Sequence, residues 1–374
     1  MTRRHASGRG RRVIAFFLIV FAQFWIFEAG LRTWGSSEAA PSFQGLFEND
    51  PDIGYRLKPN ARTHFATSEF AADIAINSAG LRDDDDIGVK PADERRIVLL
   101  GDSLVLSVQV PFSGTFGEIL ERRLNARGDG VRYRVINAGV QGYGPVEEQL
   151  FFRKIADLVQ PDLVLPIVFV GNDAEEAVAS QPKLTSRGAA TVVTDSFVTR
   201  LRRLVRRSMV LQILRLRIVA ATDRLRPQLA PPEPPLQSYA ASPAPRIARG
   251  IELTRTAVED VVATAAKTGA KAGIVLMPAR FQVDDADYGR LAQAVADAGG
   301  QLVRDGASQR FDRGLAPIPV PRLDLLPPLR AALPGPDLFY QETVHLTPRG
   351  HDVVAEELAR FIEREFGESL RAPR

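Results

Sequence analysis

The sequence predicts an α/β fold, in which a mostly parallel sheet is covered by helices on both sides. Three observations predict it. Short apolar runs alternate with segments whose apolar residues recur at helical spacing. The first and third of these runs are apolar on both faces, as strands buried from two sides must be. Both run straight into turn residues, Gly101-Asp102-Ser103 and Gly171-Asn172-Asp173.

The chain has 374 residues, enough for one large domain or two small ones. Its N-terminal part reads differently from the rest. Arg3, Arg4, Arg9, Arg11 and Arg12 precede an apolar run from Val13 to Leu31. About 20 helical residues cross a hydrocarbon core of roughly 30 Å. The run therefore reads as a transmembrane anchor over residues 13–31, with residues 1–12 a basic cytoplasmic tail. The rest would lie on the extracytoplasmic, periplasmic side of the inner membrane. A signal peptide cleaved near Ser37-Glu38-Ala39 is the alternative, although signal cores usually run only about 7–15 residues.

Residues 32–93 read as a linker or lead-in of turns and short strands, punctuated by Pro51, Gly54, Pro59, Asn60, Asn77 and Gly80. Asp83, Asp84, Asp85 and Asp86 lack the interleaved glycine and distal glutamate of a calcium loop, and read as a solvated turn.

The main domain is expected over residues 94–370. Residues 96–100 read as a buried strand, residues 116–124 as a helix, residues 131–136 as a strand, residues 146–158 as a helix and residues 163–170 as a strand. An insertion over residues 174–245 then interrupts the rhythm. Seven arginines lie between Arg200 and Arg217 among leucine, valine and isoleucine, and residues 227–245 are rich in proline and alanine. The basic helix either rests on an anionic membrane surface or packs its apolar side on the domain and solvates its arginines. Beyond it, residues 250–267, 287–298 and 350–366 read as helices, and residues 272–277 and 323–326 as strands.

Composition excludes several chemistries. There is no cysteine, hence no disulfide, thiolate metal site or cysteine nucleophile. A net charge of +3 with scattered arginine gives no nucleic-acid footprint. Only four histidines can supply imidazole: His5, His64, His345 and His351.

In an open α/β sheet, ligands bind beyond the carboxyl ends of the strands. Gly101-Asp102-Ser103, the stretch from Asn137 to Gly142, and Gly171-Asn172-Asp173 each follow an expected strand there. A fourth block, Glu342 to His351, leads into the last helix. A serine hydroxyl needs an adjacent base, usually histidine. The anion formed on attack needs donors, which backbone N–H groups and an asparagine amide can supply.

Taken together, these four blocks resemble the SGNH, or GDSL, hydrolases. Residues 76–82 and the N-terminal anchor also look like membrane-anchored members of that family. The resemblance implies a three-layer α/β/α sandwich with a flavodoxin-like sheet. It implies Ser103 as nucleophile, His345 as base, and an oxyanion hole of Ser103, Gly142 and Asn172, with Gly139 the alternative glycine. The family pattern Asp-x-x-His becomes Glu342-x-x-His345 here, which makes Glu342 the expected triad acid and Asp337 its alternative. Asp102 is expected to support the turn, and His351 to be structural. The implied reaction is ester cleavage through an acyl-serine, with no metal or cofactor. Transfer of an acyl group to or from envelope polysaccharide, and a non-catalytic glycan-binding or assembly module, are the rival readings. An ester or acylated glycan is the expected substrate.

Overall fold

The computed structural model of the chain describes residues 45–187, 236–334 and 337–371, together with residues 21 and 23–25. Most of the expected span over residues 13–31 therefore lies outside the described residues, as do residues 188–235 of the expected insertion. Among the described residues, no helix is long and apolar enough to cross a membrane. The chain divides into two units, and the larger, residues 43–189 with 233–374, holds every element below.

Strands β1 (Phe47–Asp50) and β2 (Gly54–Leu57) pair as one antiparallel hairpin, and β3 (Arg62–Ala66) and β4 (Ala71–Ala75) as another. The central sheet contains β5 (Glu94–Gly101), β6 (Arg132–Gly139), β7 (Leu163–Phe169), β8 (Lys271–Ala272), β9 (Ile274–Met277) and β10 (Arg322–Asp324). Its order is β10-β9-β7-β5-β6, with β8 beside β7, and every pairing is parallel. Read from the β6 edge, the order is second, first, third, fourth, fifth, the doubly wound order whose switch point lies between β5 and β7.

In chain order the helices are α1 (Ser103–Leu106), α2 (Phe116–Asn125), α3 (Pro145–Val159), α4 (Asp173–Arg187), α5 (Pro245–Lys267), α6 (Arg280–Val283), α7 (Asp285–Asp297), α8 (Gly306–Leu315), α9 (Leu326–Ala331) and α10 (Pro348–Arg371). Proline opens α3 and α5, where a missing N–H costs no helical hydrogen bond. The Thr115 hydroxyl caps α2 by accepting from the Glu118 N–H at 3.3 Å.

Side chains alternate across a strand, so β5 serves two cores. Ile97 and Leu99 join Phe116 and Leu120 of α2 and Val354 and Leu358 of α10. Val98 and Leu100 join Phe151 and Phe152 of α3 and Val261 of α5. Each such side chain contributes about 1.5–3 kcal/mol on burial, so both faces of the sheet are held independently.

Two boundaries differ from expectation. The lead-in is no linker, because Leu57, Phe65, Ile74 and Leu81 are buried in the same core as Val98 and Leu100. The insertion starts later than residue 174, because α4 continues the strand-helix rhythm through Arg187. The acidic block is solvated only in part. Asp84, Asp85 and Asp86 are exposed, whereas Asp83 is buried and accepts from Arg134 Nη2 at 3.0 Å.

Candidate active site

The switch point brings the ends of β5 and β7 side by side, with Ser103 following the first and Asn172 the second. Beyond β5, Asp102 Oδ1 accepts from the Leu104 N–H at 2.8 Å and caps α1. Asp102 is thus the structural support expected of it, and burial raises its carboxyl to about 6. Ser103 opens α1. Its Oγ lies 2.9 Å from His345 Nε2, across 242 residues of sequence.

The loop after β6 supplies the glycines. Gly142 has φ +72°, a left-handed conformation that favours glycine. The loop is fixed by the Tyr55 hydroxyl, which donates to the Gln141 carbonyl at 2.8 Å. Gly139 has another reason to be glycine. A Cβ there would lie 2.2 Å from the Leu106 N, so this position lets α1 approach β6.

Asn172 follows β7. Its Nδ2 donates to Glu176 Oε1 at 2.9 Å, and its buried Oδ1 has no partner among the described residues. Asn172 also lines a cavity of about 390 Å³ with Phe169, Tyr239, Phe281, Glu342 and Val344. Those walls are largely apolar, and Arg280 and Asp287 also border the cavity.

Glu342 does not reach the imidazole. Its Oε2 accepts from the Ser68 hydroxyl at 2.9 Å. Asp337 is not there either, since its Oδ2 accepts from Gln341 Nε2 at 2.9 Å. His345 Nδ1 is buried without a hydrogen-bond partner among the described residues. The physical reason is the hairpin β3–β4, whose turn meets the loop before His345 and turns Glu342 outward. The arrangement among the described residues is therefore a hydroxyl–imidazole pair without an acid on Nδ1.

Burial alone lowers the His345 pKa to about 4. The imidazole is neutral at physiological pH and able to take the Ser103 proton. His351, in α10, is fully buried; its Nδ1 accepts from the Phe116 N–H at 3.2 Å and its ring stacks on Phe116. It supports the fold, as expected.

A pH profile follows from these facts. The neutral imidazole is the competent form, so activity persists above its pKa and falls about tenfold per unit below it. The acid limb of kcat/KM is expected near pH 4. A carboxylate on Nδ1 would instead lift it toward or above the ordinary value of about 6.5. Initial rates from pH 3 to 8 measure the limb directly.

Two neighbours of the site were given no role by the sequence. Asp173 and Glu148 are buried, and burial first, then the charges of Asp102 and Glu176, holds both well above the usual carboxylate range, with Glu148 also acting on Asp173. Asp173 stands in the third motif block beside Asn172, but its burial is not legible there. Glu148 looks like any helix-surface glutamate until α3 is packed.

Residues 238–373 match the family model described as SGNH hydrolase-like domain, acetyltransferase AlgX. The match takes in His345 and ends well short of Ser103 on the N-terminal side. No curated protein matches the chain. Among solved structures, the chain is similar to a lipase/acylhydrolase from Enterococcus faecalis, at 14% identity over 72% of this chain and 96% of that one, with a TM-score of 0.38. It is similar to the psychrotrophic esterase EstA from Pseudoalteromonas sp., at 11% identity over 72% and 97%, with a TM-score of 0.39. The acetylxylan esterase Axe2 from Geobacillus stearothermophilus, in a catalytic mutant, gives 12% identity over 72% and 94%, with a TM-score of 0.38. At these scores the likeness bears on no residue of the site.

Proposed function

We propose that this protein is a serine-dependent acyl-transfer enzyme that cleaves ester bonds through an acyl-serine on Ser103. The observation that carries the reading is the 2.9 Å approach of Ser103 Oγ to Nε2 of a neutral, half-buried His345 at the switch point of the sheet. His345 takes the hydroxyl proton as Oγ attacks the ester carbonyl. The N–H groups of Ser103 and Gly142, with the Asn172 amide, hold the resulting oxyanion. His345 then protonates the departing alcohol and activates the acceptor that releases the acyl group. The cavity beside Asn172 suits the acyl part of the substrate.

The acceptor is water in the first reading and a sugar hydroxyl in the second. The matched description, acetyltransferase AlgX, favours the second. The arginine-flanked apolar run over residues 13–31 supports placing the domain outside the cytoplasmic membrane, beside envelope polysaccharide. The full chain, incubated with p-nitrophenyl acetate, is expected to release p-nitrophenol. Adding an oligosaccharide and weighing the products separates the acceptors, because transfer adds an acetyl mass to the sugar and hydrolysis adds none. A folded chain that does neither would instead be a carbohydrate-binding or assembly module.

A further inference from the structure

The loop from Tyr340 to His345 is gripped on both sides of its backbone. Glu69, in the turn between β3 and β4, accepts from the Gln341 N–H on Oε1 at 2.7 Å and from the Glu342 N–H on Oε2 at 2.8 Å. From the opposite side, Arg280 Nη1 donates to the Tyr340 carbonyl at 2.8 Å and also to the Gln341 carbonyl. Arg280 is itself fixed by a two-point pair with Asp287, at 2.8 and 2.9 Å. Tyr340 donates its N–H to the His345 carbonyl at 2.9 Å and packs its ring on Phe70, which closes the loop. One anion thus takes the amides of this loop and one cation its carbonyls, and charge-assisted bonds of this kind are about twice as strong as neutral ones.

We propose that Glu69 and Arg280 are positioning residues for His345, holding from the backbone the ring that a triad carboxylate would hold from Nδ1. A triad acid holds the imidazole in place and stabilises its charged form. Here only the first of these tasks is met, by fixing the peptides that lead into His345. A misplacement of about 1 Å can cost on the order of 100-fold in rate, so a held loop is worth much of what the absent acid would give. The pair is invisible to motif reading because Glu69 lies 276 residues before His345 and Arg280 lies 65 before it.

The proposal rests on the reading of His345 as base, and its test has one arm that does not. Glu69→Gln keeps the shape but presents one acceptor where two are needed. In the full chain, kcat for p-nitrophenyl acetate is expected to fall at least about tenfold with the melting temperature unchanged. Independently of activity, the His345 Cε1 proton resonance is followed from pH 3 to 8. Burial is what lowers the His345 value, the neighbouring His351 is itself kept neutral by burial, and loss of the Glu69 charge would only lower the His345 value further, so a rise reports release of the ring. A ring released toward water titrates at least one unit higher in the variant than in the parent. Arg280→Gln is expected to act in the same direction and serves if the first variant does not fold. Unchanged kcat and unchanged titration in a folded variant overturn the proposal. An inactive parent whose His345 titration still shifts in the variant leaves the clamp standing and removes the catalytic reading.

Discussion

Ser103→Ala is expected to lower kcat for ester cleavage by about 10⁴-fold or more, with His345→Ala similar and the double variant no worse than either. Residues that act as one unit lose their effect together, so the third variant has nothing further to remove. Glu342→Gln provides the contrast. A true triad acid costs about 10⁴-fold when removed, whereas Glu342 holds the Ser68 hydroxyl and not the imidazole. Its substitution is expected to change kcat/KM by less than about threefold, the scale on which a surface contact is felt. Steady-state kinetics on the parent and the four variants reads all of this. A loss for Glu342→Gln as deep as that for His345→Ala would restore the triad and refute the pair.

Arg82→Met is expected to give the largest loss of stability. Arg82 is wholly buried. Its Nη1 donates to the Leu106 carbonyl at 2.6 Å and also to the Ser107 carbonyl, and its Nη2 donates to the Val110 carbonyl at 2.7 Å. These carbonyls belong to the end of α1 and the loop after it, so the guanidinium ties down the turn that presents Ser103. Burial lowers the Arg82 pKa to about 10, which leaves it charged at neutral pH. Methionine fills the space and strands three acceptors. Each unsatisfied buried group costs about 1–3 kcal/mol, offset in part by no longer burying a cation, so a net loss of about 2–5 kcal/mol is expected. For a domain of this size that corresponds to roughly 5–15 °C in melting temperature. A melting temperature within about 2 °C of the parent would show the contacts to be incidental.

Much of this molecule is legible in its sequence, because periodicity and turn chemistry are local. Residues 96–100 and 163–170 read as buried strands, and β5 and β7 lie there. Three of the motif blocks follow strands and so lie along one edge of the parallel sheet, whereas the pairing of Ser103 with His345, which meet at 2.9 Å, was implied by the resemblance of all four blocks. What could not be read is what long-range packing decides. The segment Asn77-Ser78-Ala79-Gly80-Leu81-Arg82 looks like a turn and is one, with Asn77 Oδ1 accepting from the Ala79 and Leu81 N–H groups at 3.0 Å and Gly80 at φ +79°. Nothing local says that the turn exists to deliver Arg82 beneath α1. The spacing Glu342-x-x-His345 suggests an acid behind the imidazole, yet a carboxylate three residues away reaches Nδ1 only if the loop folds toward it. The β3–β4 hairpin decides otherwise, through Glu69 and Ser68 from a segment that reads as a linker. Glycine was ambiguous for a similar reason. The motif favours Gly142 and leaves Gly139 as the alternative, and the close approach of Leu106 to Gly139 gives that glycine a packing role the sequence does not show.

The whole account turns on one hydroxyl being made nucleophilic by one imidazole. A fluorophosphonate ester applied to the full chain at neutral pH, followed by digestion and mass analysis of the peptides, tests that claim most directly. The phosphonyl group is expected on Ser103 alone, and labelling is expected to vanish in His345→Ala. Modification of a different serine, or labelling of Ser103 that survives loss of His345, would contradict it.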